Sequence, residues 1–219
     1  LVGSEMCIRD RYMSMTSGKI GVGVITCDRE GMLSVCVDSI LSLYGDSVYC
    51  FVVNDGENTP RLPQDVEILN NSANLGVGKS KNRAIKHMID NECEHIFVVE
   101  DDIMFVSDRC LSSYIELSNL SGVKHFNYCL HGEYNKTNDT PTPKLIVDYK
   151  TAKMSLYGDV TGAMSYYHSS VIESCGYMSD DYKNAMEHVD HTMRIIEAGF
   201  HPPFRWFADV ADSHTLSLI

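Results

Sequence analysis

Three consecutive carboxylates, Glu100, Asp101 and Asp102, follow directly on the apolar run HIFVV. Crowded carboxylates repel one another unless water or a cation relieves them. Hard oxygen ligands of this kind suit Mg2+ or Mn2+, shared with the phosphates of a substrate. The plain alternative is a solvated turn. Ligands of open α/β sheets gather beyond the carboxyl ends of the strands, however, and that favours the metal. Two further apolar runs also end in polar groups: Thr26, Asp28 and Arg29 follow KIGVGVI, and Asp55 follows VYCFVV. If these strands run parallel, all of these residues share one edge. Carboxylates there can accept from a base or a ribose hydroxyl, while backbone N–H groups reach phosphate.

A second cluster lies in Met186-Glu187-His188-Val189-Asp190-His191. On a helix, Glu187, Asp190, His191 and Arg194 share a face, and His188 points about 100° away. This is not the zinc-protease spacing H-E-x-x-H, because Glu precedes the first His. Read on charge alone, the face is a surface ion-pair ladder. The loop Gly76-Val77-Gly78-Lys79-Ser80 imitates the end of a P-loop, and IFVVED could pass for its partner strand. Ala73 occupies the first glycine position, however, and the helix from Lys79 must return at once to the acidic strand.

The elements that must position these groups alternate as in an α/β domain. Strands are expected at Lys19–Thr26, Val48–Val53, Val66–Leu69, Ile96–Val99, 125–131, 144–149 and Val160–Tyr167. Helices are expected from Met32 to Leu43, closed by Gly45, over Lys79–Ile89, over 108–120, and over Lys183–Ala198, closed by Gly199. The polar segment 132–143 (GEYNKTNDTPTP) reads as a mobile loop.

Eighteen basic residues against thirty acidic give the 219-residue chain a formal charge of −12. With no basic stripe, a binder of nucleic acid driven by phosphate neutralisation is excluded. No apolar run approaches the roughly 20 residues that span a bilayer, so no transmembrane segment is expected. The opening LVGSEMCIRDRYMSM lacks a signal-peptide core and resembles translated sequencing adapter. Residues 1–17 are therefore expected to be a non-native or disordered leader, with the true start at Met13 or Met15, and residues 18–219 a single domain. None of the eight cysteines forms a C-x-x-C pair, and several lie in apolar runs. Reduced, buried thiols and a cytoplasmic location are expected.

Taken in order, GVGVITCDRE, VVNDG, NLGVGKSKNRAI, FVVEDDIMF, GAMSYYHSSVIESCGYM and EHVDHTMRIIEAG resemble a family 2 glycosyltransferase with the GT-A fold. The resemblance runs from about Lys19 to Ile219. It implies an α/β fold with a mixed central sheet flanked by helices, and a DxD-type metal site for Mn2+ or Mg2+ at Glu100 and Asp102, completed by His214. It also implies nucleotide contacts from Thr26, Asp28, Arg29, Asp55, Lys79, Asn82 and Asp101. The partners implied are a nucleotide-diphosphate sugar, UDP-linked, and a glycan or other hydroxyl acceptor, with transfer by inversion. Small residues in Gly158–Ser165 would leave room for sugar. In the family an E-D pair starts the late helix, and the aspartate is the catalytic base. Here the pair is Glu187-His188, which leaves His188, Glu187 or Asp190 to act. Rival readings are a P-loop-like NTPase acting through Lys79, a nucleotidyltransferase, and a glycan- or nucleotide-sugar-binding module that has lost the base.

Overall fold

The computed structural model describes residues 18–129, 133–204 and 206–218, so the expected leader lies outside the described residues. In chain order the elements are β1 (Lys19–Thr26), α1 (Glu30–Tyr44), β2 (Tyr49–Asn54), β3 (Glu67–Asn70), α2 (Val77–Asp90), β4 (Cys93–Glu100), β5 (Met104–Phe105) and α3 (Cys110–Ser121). There follow β6 (His125–Asn127), β7 (Lys136–Thr137), β8 (Thr140–Pro141), β9 (Leu145–Asp148), β10 (Lys153–Tyr157), β11 (Met164–His168), α4 (Ser169–Cys175), α5 (Glu187–Glu197), β12 (Phe207–Val210) and β13 (Ser217–Leu218). The central sheet has the order β3-β2-β1-β4-β11-β6. Its first four strands are parallel, and β11 runs antiparallel to both neighbours.

Strand periodicity divides the core into two layers. Val22, Val24, Val52, Phe97 and Val99 face α1 and α3, meeting Leu33, Val37, Leu111 and Tyr114. Ile25, Phe51, Val53, Ile96 and Val98 face α2, α4 and α5, meeting Ala84, Ile85, Met88, Val171 and Ile195. Gly21 and Gly23 lie on this second face, where a Cβ would come 2.7 Å from Met88 Sδ and 3.0 Å from Ala84 Cβ. The two glycines let α2 sit close on the central strand, and that closeness fixes the height of α2 relative to the strand ends.

A smaller antiparallel sheet, β12-β10-β9, lies beside the main one, and β13 returns to pair with β5 just beyond the acidic triplet. Several sequence expectations change here. The strand expected at Val160–Tyr167 is confined to β11, because Gly162 and Ala163 turn their carbonyls to Lys81 Nζ (2.9 Å) and the Glu100 amide (2.7 Å). The helix expected from Lys183 starts only at Glu187, since Met186 is left-handed (φ 71°) and the Tyr182–Lys183 backbone lies against Gly76 and Gly78. Within 133–143, the expected mobile loop is instead a turn followed by the β7–β8 hairpin. Asn138 and Asp139 at its tip both have positive φ (49° and 59°), as a type I′ turn requires. The strand expected over 125–131 ends at Asn127, and residues 130–132 lie outside the described residues. Strands β10 and β12 and helix α4 are too short to leave a periodic trace. Among the described residues all cysteines are free, and no helix is long and apolar enough to cross a membrane.

Candidate active site

The carboxyl ends of β1, β2 and β4 open onto one cleft of about 510 Å³. Thr26, Arg29, Asp55, Glu100, Thr161, Gly162, Glu187 and His188 line it. Parallel pairing of β1 with β2 and β4 is the cause, since it aligns Thr26 with Asn54 and Ile25 with Glu100.

Each carboxylate of the triplet has a different environment. Asp101 is buried and receives Thr26 Oγ1 at 2.6 Å and an ion pair from Arg29. Burial pushes its pKa up, and the Thr26 hydrogen bond and the Arg29 charge only partly oppose this. Asp102 lies 3.4 Å from Arg29 through Oδ2, while its Oδ1 is buried with no partner. Glu100 lies 2.8 Å from Lys81 Nζ. Asp55 is buried, and its carboxylate accepts from Asn71 Nδ2 (2.7 Å), Leu75 N (2.8 Å) and Gly76 N (2.9 Å). It therefore shapes the 71–76 loop as well as lining the cleft. Asp28, left-handed at φ 54°, accepts from Glu57 N at 3.1 Å and borders a side pocket of about 130 Å³ with Arg29, Asn54 and Asn58.

The late helix contributes its first turn only. Glu187 is 1% exposed, and its Oε1 lies 3.0 Å from Lys81 Nζ and 3.1 Å from His188 Nδ1. Burial would raise the Glu187 pKa, but the His188 hydrogen bond and the Lys81 charge outweigh it and hold the pKa down at about 2. Burial works on Lys81 in the opposite sense and is likewise outweighed, by Glu100 and Glu187, so its pKa is raised. A Cβ on Gly162 would come within 2.6 Å of Lys81 Nζ, 3.0 Å of His188 Nδ1 and 3.2 Å of Glu100 Oε1, so these groups converge on one point that only glycine leaves open.

Of the expected site residues, Asp28 borders the side pocket, Asp101 and Asp102 border an apolar hollow with Met32, Val35 and Met104, and His214, Lys79, Asn82 and Asp190 do not line the cleft. Lys79 is half-exposed and lies 3.8 Å from Asp180, which also removes the pivotal residue of the P-loop reading. Asn82 is engaged through both amide atoms with the Met178 backbone, at 2.9 Å each, and staples α2 to that loop. Asp190 pairs with Arg194 at 3.2 Å, and Arg194 in turn caps Cys175 and Tyr177 carbonyls. His191, expected on that same charged face, is buried against the Gly176 carbonyl. Lys81 was missed. It lies three, four and seven residues before Ala84, Ile85 and Met88, so it extends the apolar stripe of α2, and that was its signal in the sequence. Lys79 lies off this stripe.

A divalent cation at the strand ends would need oxygen or nitrogen donors left free by the protein. Asp102 Oδ1 and His214 Nδ1 are buried polar atoms without a partner, and β13 draws the His214 segment alongside β5. Among the described residues no three His, Cys, Asp or Glu side chains converge on one point. Asp102 and His214 are single candidate donors, and a hard cation here would take its other ligands from substrate phosphates and water.

No family model matches the chain, and no curated protein matches it in sequence. Solved structures do. Staphylococcus aureus TarS residues 1–349 in complex with UDP superposes with a TM-score of 0.59 at 17% identity, covering 81% of this chain and 55% of that one. The mannosyltransferase PcManGT from Pyrobaculum calidifontis, in complex with GDP-Man and Mn2+, gives 0.58 at 13% identity, covering 93% of this chain and 64% of that one. GalNAc-T7 with UDP, GalNAc and Mn2+ gives 0.62 at 9% identity, covering 83% and 41%. The chain has the GT-A type fold. It spans less than two thirds of the length of each of these structures.

Proposed function

We propose that the chain is a metal-dependent glycosyltransferase that moves a sugar from a nucleoside diphosphate sugar, UDP-linked, to a hydroxyl acceptor with inversion. One observation carries this reading. A single ammonium, Lys81 Nζ, lies 2.8 Å from the strand-end Glu100 and 3.0 Å from the helix-start Glu187, so the donor edge and a base-bearing helix face one cleft. The GT-A fold, and the UDP, GDP-Man and Mn2+ in its structural neighbours, support it.

Asp28, Arg29 and Asn54 would hold the nucleoside in the side pocket. Asp102, joined by His214, would hold Mn2+ or Mg2+, which when bound neutralises charge on the departing diphosphate. Arg29 stands beside the same carboxylates and would orient the phosphates. Glu187 and His188, across the cleft, would receive the acceptor, whose hydroxyl attacks from the face opposite the diphosphate. Free cysteines fit a reducing compartment such as the cytoplasm.

Thermal shift tests the reading. UDP with Mn2+ should raise the melting temperature of wild type, whereas UDP alone should act weakly. Asp102→Asn should lose the Mn2+-dependent part. No shift with UDP, GDP or their sugars in the presence of either metal would refute it.

A further inference from the structure

The reading above leaves the proton acceptor open between Glu187 and His188, and the hydrogen-bond geometry distinguishes them. Glu187 Oε1 receives two neighbours, Lys81 Nζ at 3.0 Å and His188 Nδ1 at 3.1 Å. The carboxylate sits against the ammonium with its side chain 2% exposed, so it is ionised and can only accept. His188 Nδ1 must therefore carry the hydrogen. A neutral imidazole has one donor and one acceptor nitrogen, which leaves the lone pair on Nε2. His188 lines the cleft, and its Nε2 has no partner among the described residues.

We propose that His188 is the catalytic base, with Glu187 a positioning residue that fixes the imidazole tautomer and Lys81 the counter-ion that keeps Glu187 in place. The proposal rests on the glycosyl-transfer reading. In the step, His188 Nε2 takes the acceptor O–H proton while that oxygen forms a bond to the anomeric carbon. The bond from that carbon to the diphosphate oxygen breaks, and its electron pair leaves with the nucleoside diphosphate. The imidazolium so formed lies against the Glu187 carboxylate and later returns its proton to water. Glu187 is a poor base in its own right, because Oε1 is already held by an ammonium and an imidazole N–H, and Oε2, although it has no partner, is buried.

Nuclear magnetic resonance on the full chain labelled with 15N-histidine tests the tautomer directly. The ring signal that disappears in His188→Gln, or in His188→Asn should the first variant misfold, is expected in the Nδ1–H form. A second arm follows UDP release from UDP-N-acetylglucosamine and other UDP-sugars with Mn2+. His188→Gln should lower kcat about 10²- to 10⁴-fold, the range of a lost general base, with KM for the donor unchanged. Glu187→Gln should lower kcat, again without moving KM. An Nε2–H ring in wild type, turnover by His188→Gln within a few-fold of wild type, or UDP binding with no turnover of any UDP-sugar would each overturn His188 as the base while leaving the donor reading intact. Absence of any UDP shift with Mn2+ would instead remove the donor reading itself, whatever the tautomer.

Discussion

Replacing Lys81 by Met should be among the most damaging single changes in the protein, and the reason lies in what it strands. The Lys81 and Glu187 side chains are each 2% exposed, whereas Glu100 is 25% exposed. Without the ammonium, Glu100 can turn to water but Glu187 cannot. The Glu187 pKa falls from 4.5 to about 2 in the folded protein, which corresponds to about 3 kcal/mol of stabilisation of its ionised form. Removing one partner of a buried ion pair costs about 3–5 kcal/mol by a separate route. The pKa figure also contains the His188 hydrogen bond, so the ion-pair cost sets the expectation, and urea denaturation of Lys81→Met at pH 7.5 should show a loss of about 3–5 kcal/mol.

The sign with pH is equally specific. In wild type the depressed Glu187 pKa gives stability that is present above 4.5 and is lost as pH falls towards about 2. In Lys81→Met burial dominates and raises that pKa, so its penalty is greatest at neutral pH and is relieved on acidification. The stability gap between the two proteins should therefore narrow as pH drops. Adding Glu187→Gln to Lys81→Met should restore about 2 kcal/mol, since no buried charge then remains unpaired. A Lys81→Met loss below about 1 kcal/mol, or a double variant no more stable than the single, would refute the reasoning.

Three other changes are expected to be informative. Gly162→Ala drives a methyl group to 2.6 Å from Lys81 Nζ and 3.0 Å from His188 Nδ1; overpacking should cost about 1–3 kcal/mol in urea denaturation and weaken turnover of UDP-sugars. Asp55→Ala orphans the Gly76 amide and releases Leu75 N and Asn71; a stability loss of about 2–3 kcal/mol is expected by calorimetry, with weaker UDP binding as the 71–76 loop relaxes. His191, buried and lowered from 6.5 to about 4, is neutral in the folded chain. The unfolded chain therefore takes up a proton first, so this group removes stability as pH falls from 6.5 to about 4. In His191→Gln, which keeps a donor for the Gly176 carbonyl, the stability change between pH 7.5 and pH 5 should differ from wild type by about 2 kcal/mol in urea titrations. An unchanged difference would show that His191 titrates normally.

The parallel half of the fold could be read from the sequence because its signals are local. Val- and Ile-rich runs, helical spacing at Leu33, Cys36, Val37 and Ile40, and punctuation by Gly45 each act over a few residues. Parallel strands also place polar strand ends on one edge, so Thr26, Arg29, Asp55 and the triplet were predictable as neighbours. The antiparallel half was less legible: β12 is a strand only through its pairing with β10, distant in sequence, and α4 is seven residues long.

What only the tertiary structure decided is how each charge is spent. Lys81 and Lys79 are two residues apart on one helix, yet packing of α2 on Gly21 and Gly23 turns the first inward to Glu100 and Glu187, while the second pairs with Asp180. The left-handed Met186 starts α5 at Glu187, so Glu187 and His188 enter the cleft together while Asp190 turns away to Arg194. Composition and spacing settle which groups are available. Which carboxylate meets an ammonium, an imidazole or nothing depends on helix rotation and close backbone approach, and those are set by contacts between residues up to 106 positions apart.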